Sequence, residues 1–192
     1  MNTVKPGAFT LDDIYSTLEC RAMVERAENL GFTAATVSLA GGAQAMPGVR
    51  NNDRVKFDDA DLAAQLWARL ETSVPATLEG WRAVGLNERF AVYRYDPGQR
   101  FKRHQDGVVR TDTGEESRFT VLVYLNDECE GGETIFSDVD RSSGQVRFLE
   151  TPVQPRSGMV LVFKHELWHE GAPVTAGRKY VLRSDVLYRK DA

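Results

Sequence analysis

The chain has 192 residues, 42% apolar and 27% charged, with a formal charge of −4. These values suit one soluble globular domain with a sizeable core and argue against a nucleic-acid protein built on a broad basic field. No stretch approaches a membrane span, and "MNTVKPGAFTLDDIY" lacks the apolar run of a signal peptide. Cys20 and Cys129, with no CxxC between them, are expected as reduced thiols, so a reducing, cytoplasmic setting is expected.

In chain order, Thr10 is expected to cap a helix with Ile14, Leu18, Ala22 and Leu30 facing the core, stopped by Gly31. The short apolar run "FTAATVSL" and the loop "AGGAQAMPGVRNND" follow. A second helix is predicted after Asp58, with Leu62, Leu66 and Leu70 at helical spacing, ending before Pro75. From about residue 88 the texture changes to short strands between Gly/Pro/Asn turns: "ERFAVYRY", "RFKRHQD", "RFTVLVYLN", "TIFS", "QVRFLETPV", "GMVLVF" and "GRKYVLRSDVLY". With no helix among them, these imply an α+β fold that is mainly antiparallel β, a sandwich or barrel with the front helices packed on one sheet. We expect one domain over 1–192: helical support and loops over 1–85, and the chemistry in a β core over 86–192.

"HELWHEG" at 165–171 matches the H-E-x-x-H spelling of a zinc protease, which needs a helix to bring residues i and i+4 to one face. Here a β-rich run enters the motif, and Gly171 and Pro173 leave it, so a zinc hydrolase is the disfavoured reading. More informative is "HQD": on a strand, His104 and Asp106 point to the same face. One histidine from a distant strand would complete two imidazoles and a carboxylate on one face of an octahedral ion, leaving positions for a bidentate cosubstrate and O2. Lys179 stands ten residues after His169, and Lys179, Val181, Arg183 and Asp185 share one face of the last strand, so a lysine aimed inward needs a buried anion.

"RYDPGQRFKRHQDG", "RFTVLVYLND", "GGETIF", "SGMVLVF" and "HEGAPVTAGRKYVLRSDVLY", in that order, resemble the prolyl 4-hydroxylase-like branch of the 2-oxoglutarate- and Fe(II)-dependent dioxygenases. The resemblance implies a double-stranded β-helix (jelly-roll) core, with His104, Asp106 and His169 as Fe(II) ligands and Lys179 on the far carboxylate of 2-oxoglutarate. It also implies Tyr124 and Tyr95 beside that cosubstrate, with Arg183 or Arg178 as further candidates. The implied activity couples oxidative decarboxylation of 2-oxoglutarate by O2 to C–H hydroxylation of a peptidyl or small-molecule substrate, with ascorbate supporting the iron. No nucleic-acid or membrane partner is expected. The polar cluster Arg50, Asn51, Asn52 and Arg54 is the candidate substrate side, and its rival reading is a solvated loop. His165 is expected as a loop histidine near the pocket mouth. A cupin-like metal-binding module without oxygenase activity is the rival from another class, separable by cosubstrate turnover.

Overall fold

The computed structural model describes residues 1–39, 42–140 and 147–191. Alternation along the strands sets the architecture. In the strand Lys179–Lys190, Tyr180, Leu182, Val186 and Tyr188 join the large apolar cluster shared with both helices. Lys179, Val181, Arg183 and Asp185 alternate with them and line the cavity on the other side. The same division runs through Arg89–Tyr95, where Phe90 and Val92 face the helices while Ala91, Tyr93 and Tyr95 face the cavity. Each fully buried Phe or Leu on the helix side contributes about 1.5–3 kcal/mol of transfer free energy.

The main sheet takes ten strands among the described residues. Its path runs Asn2–Lys5, Ala8–Leu11, Val160–Lys164, Glu116–Tyr124, Lys179–Lys190, Arg89–Tyr95, Asp53–Asp58, Thr33–Ala34. Trp81–Leu86 also pairs with the long Lys179–Lys190 strand, and Thr77–Leu78 pairs with Trp81–Leu86. A second sheet of four strands runs Phe101–His104, His169–Gly171, Thr134–Asp140, Arg147–Val153. Tyr124, Leu161, Phe163 and Val181 of the first sheet meet Phe136 and Val153 of the second in a smaller core, so the layers close as a β sandwich of jelly-roll type. Pairing is antiparallel throughout these two sheets.

Helix α1 spans Thr17–Leu30 and helix α2 spans Ala60–Leu70. The cap of α1 is Ser16, not Thr10: Ser16 and Glu19 form a reciprocal capping box, and Thr10 lies in the strand Ala8–Leu11. Starting there turns Cys20, Met23 and Ala27 inward and leaves Leu18 and Leu30 at 77% and 52% exposure, so the expected stripe is corrected. Gly31 ends the helix as expected, at φ 83°. In α2, Asp59 caps, and Ala63, Leu66 and Leu70 are buried.

The front of the chain is also less helical than expected. Asp53–Asp58, expected within the helical and loop region, is a strand: it pairs with Arg89–Tyr95 and turns Val55 and Phe57 to the core in alternation with Arg54 and Lys56. Behind the second helix, Trp81–Leu86 adds a further strand. "DECEGGE" contains the strand Cys129–Gly131, paired with Val174–Gly177. The opening Gln and Val of "QVRFLETPV" lie outside the described residues, as do Ala40 and Gly41 of the glycine-rich loop.

Candidate active site

The register between neighbouring strands of the second sheet brings the distal histidine to the H-x-D pair: His104 sits opposite His169 where Phe101–His104 pairs with His169–Gly171. Asp106 follows just past the strand end, its N–H donating to the His165 carbonyl at 3.1 Å. Among the described residues, His104, Asp106 and His169 form the one group of three metal-capable side chains, their ligand atoms all within 4.8 Å. His104 Nε2 and His169 Nε2 stand 3.8 and 3.7 Å from the two Asp106 oxygens. Neighbouring donors about 2.1 Å from an octahedral ion lie about 3 Å apart, so a small contraction seats a cation.

The protonation states suit the same reading. His104 Nδ1 lies 2.8 Å from the Lys102 carbonyl and His169 Nδ1 lies 2.9 Å from the Leu167 carbonyl. Each Nδ1–H therefore donates to backbone, leaving the Nε2 lone pair aimed at the centre. Burial pushes both imidazoles down, His104 to about 4, which keeps them neutral and able to ligate. Burial, the largest single influence, raises the Asp106 carboxyl, but the Arg183 guanidinium, the two imidazoles and the Thr120 hydroxyl together outweigh it and hold the group well below the usual carboxylate range. Thr120 Oγ1 donates to Asp106 Oδ2 at 2.6 Å, and Arg183 Nη2 stands 3.3 Å from Oδ1. Two neutral imidazoles and a fixed carboxylate fit a divalent ion of the Fe(II) kind.

Beside the triad, a cavity of about 540 Å³ reaches Lys179, which is 3% exposed. Its ammonium donates to the Gly132 carbonyl and stands 5.4 Å from the ring centres of both Tyr95 and Tyr124. Among the described residues no carboxylate lies within ion-pair distance of it. Burial lowers its pKa to about 8. A cation buried with one carbonyl and two aromatic faces is costly unless an anion completes its shell. The far carboxylate of 2-oxoglutarate fits that need. Tyr124 donates from its hydroxyl to Thr134 Oγ1 at 2.8 Å, and Thr134 lines the same cavity.

The remaining expected residues divide. Arg50 and Arg54 line the cavity. Asn51 and Asn52 do not reach it: Asn51 braces the backbone of Arg100, and Asn52 accepts from Arg50 Nε at 2.7 Å. Of the four residues expected on the substrate side, the two arginines line the cavity and the two asparagines do not. Arg183 links Asp106 to Asp185, whose Oδ1 is 3.1 Å from Nη2. Arg178 faces away, paired with Asp96 at 2.6 Å. His165 lies in a loop as expected, but it is buried rather than set at the pocket mouth. It is 5% exposed, with Nε2 3.3 Å from Asp185 Oδ1, and residues 165–168 form a turn, which removes the helix a zinc protease needs.

Several contributors carry little signal in the sequence. Thr120 sits in an apolar-looking strand, and only its inward place in the alternation hints at a polar partner. Gly132 has φ 70°, and a Cβ there would meet Lys179 Cδ and Val174 Cγ2, each at 3.1 Å, so glycine lets the carbonyl cap the lysine. Phe101 stacks on His104 with ring centres 3.6 Å apart.

Residues 90–184 match the family model of the 2OG-Fe(II) oxygenase superfamily. The chain is 26% identical to a protein described as probable prolyl 4-hydroxylase 9 of Arabidopsis thaliana, over 92% of this chain and 67% of that one. It spans about two thirds of that relative's length. Its fold is similar to that of the viral collagen prolyl hydroxylase from Paramecium Bursaria Chlorella virus-1, solved with 2OG (TM-score 0.60, 21% identity, 94% of this chain and 95% of that one). It is also similar to the prolyl hydroxylase of Trichoplax adhaerens, solved with a hypoxia inducible factor peptide fragment (TM-score 0.65, 18% identity, 94% and 83%). The chain belongs to the 2OG-Fe(II) oxygenase superfamily, on its prolyl 4-hydroxylase-like branch.

Proposed function

We propose that the protein hydroxylates a C–H bond of its substrate while converting 2-oxoglutarate to succinate. In the balanced reaction, 2-oxoglutarate, O2 and R–H give succinate, CO2 and R–OH. One oxygen atom enters each organic product, and the four electrons that reduce O2 come from the decarboxylation and the C–H bond. Fe(II), when bound, supplies the redox chemistry and the open positions for cosubstrate and O2. The observation that carries the reading is Lys179, a buried ammonium with no carboxylate partner among the described residues, aimed into the cavity the triad shares.

The chain's own residues divide the work. His104, Asp106 and His169 would hold the ion, their ligand atoms lying within 4.8 Å of one another. Thr120 and Arg183 engage different oxygens of Asp106, which fixes the carboxylate's orientation. Lys179 anchors the cosubstrate's far end, and the Tyr95 and Tyr124 rings shelter that contact from water. Leu122, Phe163 and Val181 supply apolar wall. A peptidyl substrate with a prolyl residue is the first class to test, supported by the collagen and hypoxia-inducible-factor neighbours. Cys20 and Cys129 stand free, which suits a reducing compartment such as the cytoplasm. Ascorbate, as a reductant of adventitiously oxidised iron, belongs to the same proposal.

The test is succinate formation from 2-oxoglutarate with Fe(II), ascorbate and O2, with and without prolyl peptides. The expected result is slow turnover alone, stimulated by a substrate that gains the mass of one oxygen atom. Metal binding without any succinate would favour the cupin-like module instead.

A further inference from the structure

The substrate side of the cavity carries positive charge that neither the metal nor the cosubstrate cancels. Six cations line the cavity: Arg50, Arg54, Lys56, Arg89, Lys179 and Arg183. Three carboxylates face them, Asp106, Glu170 and Asp185. A divalent ion and a dianionic cosubstrate offset each other, so an excess of three charges stands, or two once Arg89 is neutralised by Asp58 at 2.9 Å. This occurs in a chain whose formal charge is −4.

Arg50 is the most demanding of them. It is 6% exposed, and its guanidinium carbon lies 4.3 Å from the ring centres of both Tyr93 and Phe101. Asn52, itself 1% exposed, takes the Nε proton at 2.7 Å, while Nη2 is buried with no hydrogen-bond partner. The fork is therefore held rigid with one donor unspent, one ring away from the metal ligand His104. The Arg54 guanidinium has its hydrogen bonds to Thr36 alone among the described residues, and Lys56 has no carboxylate partner there. Register separates these groups from the lysine that holds the cosubstrate. Lys179 pairs with Tyr95, Arg54 with Tyr93 and Lys56 with Ala91, so the cations step away from Lys179 along one strand by up to about 13 Å.

We propose that the substrate is an acid, and that it presents a carboxylate to Arg50, with Arg54 and Lys56 completing the anion seat. The proposal rests on the oxygenase reading above and adds the charge class of the substrate to it. Burying a guanidinium with a free donor costs less once a carboxylate takes it up, so neutral analogues lose both the contact and the desolvation already met by the protein. A peptide with acidic side chains and a small free carboxylic acid share this chemistry.

The experiment uses the full chain with Zn(II) in place of iron and saturating 2-oxoglutarate. Fluorescence anisotropy measures labelled prolyl peptides of equal length flanked by Glu, Gln or Lys, and competition measures N-acetylproline against its amide. With Fe(II), the same compounds are scored for stimulated succinate formation. The Glu peptide or the free acid is expected to bind at least about tenfold more tightly than its neutral match, and which of the two does so identifies the source of the carboxylate. The preference is expected to weaken between about 50 and 300 mM NaCl. Arg50→Gln should raise the KM of the preferred acid at least about tenfold more than it raises the cosubstrate KM. Lys56→Glu, an exposed position that spares folding, should erode the same preference. Equal binding of acidic and neutral compounds, absence of binding by all of them, or equal effects of Arg50→Gln on acid and cosubstrate would overturn the proposal. Absence of succinate under every condition would instead sink the oxygenase reading, while the anisotropy ranking still judges the charge class.

Discussion

Replacing Lys179 with Met separates stability from function at one position. Burial depresses the ammonium from its ordinary value of 10.5 to about 8. Between those two pH values the folded chain binds fewer protons than the unfolded one, so stability rises with pH across that window. Below about pH 8 the full penalty of holding the charge applies. At about 1.4 kcal/mol per pH unit, the penalty at neutral pH is about 3 kcal/mol. Methionine fills similar volume without charge but orphans the Gly132 carbonyl, which costs about 1–2 kcal/mol. A net gain of about 1–2 kcal/mol remains, or about 2–8 °C in Tm for a chain of this size. The cosubstrate should reverse the ranking: at a concentration about a hundred times Kd, it stabilises metal-loaded wild type by about 2.7 kcal/mol, and the variant should gain almost nothing at that concentration. Thermal unfolding of the Zn(II)-loaded proteins, with and without 2-oxoglutarate, reads both effects. A variant that melts below wild type without cosubstrate, or responds to it equally, would refute the argument from Lys179.

The same lysine sets a pH dependence. The cosubstrate KM should be flat below about pH 8 and climb by up to about tenfold per pH unit above it, as the free enzyme loses the ammonium; Lys179→Met should show no such rise in initial-rate measurements. Thr120→Val removes the hydroxyl that donates to Asp106. It should weaken Fe(II) binding about 10–100-fold with little change in Tm, as read by competition with a metal indicator. Ser16→Ala breaks the capping box of α1 and should cost about 1 kcal/mol in urea unfolding, with turnover per folded molecule unchanged.

The sequence carried much of the site because its residues stand at strand ends, where spacing alone assigns a face. His104 ends its strand and Asp106 follows just past it, off the strand on which both were expected, while Lys179 opens a strand whose alternation aims it inward. The apolar triplet Leu62, Leu66 and Leu70 likewise announced α2, though Ala63 takes the buried place beside Leu66 and Leu70. What escaped reading depends on partners far along the chain. Asp53–Asp58 offers only the brief alternation of Val55 and Phe57 among charged residues beside a polar loop, and its pairing with Arg89–Tyr95 completes the strand. The chain of contacts from Asp106 through Arg183 and Asp185 to His165 joins distant segments of the fold, so nothing local marks His165 as buried. Asn51 and Asn52 looked like substrate groups because polarity in a loop is ambiguous; their hydrogen bonds go to Arg100 backbone and Arg50 instead.

The most direct measurement is an anaerobic Fe(II) titration of the wild-type chain, His169→Ala and His165→Ala. One ion per chain is expected for wild type and for His165→Ala, with binding lost or weakened at least about 100-fold in His169→Ala. If His165→Ala abolished binding while His169→Ala kept it, the three side chains assigned to the ion would be the wrong three.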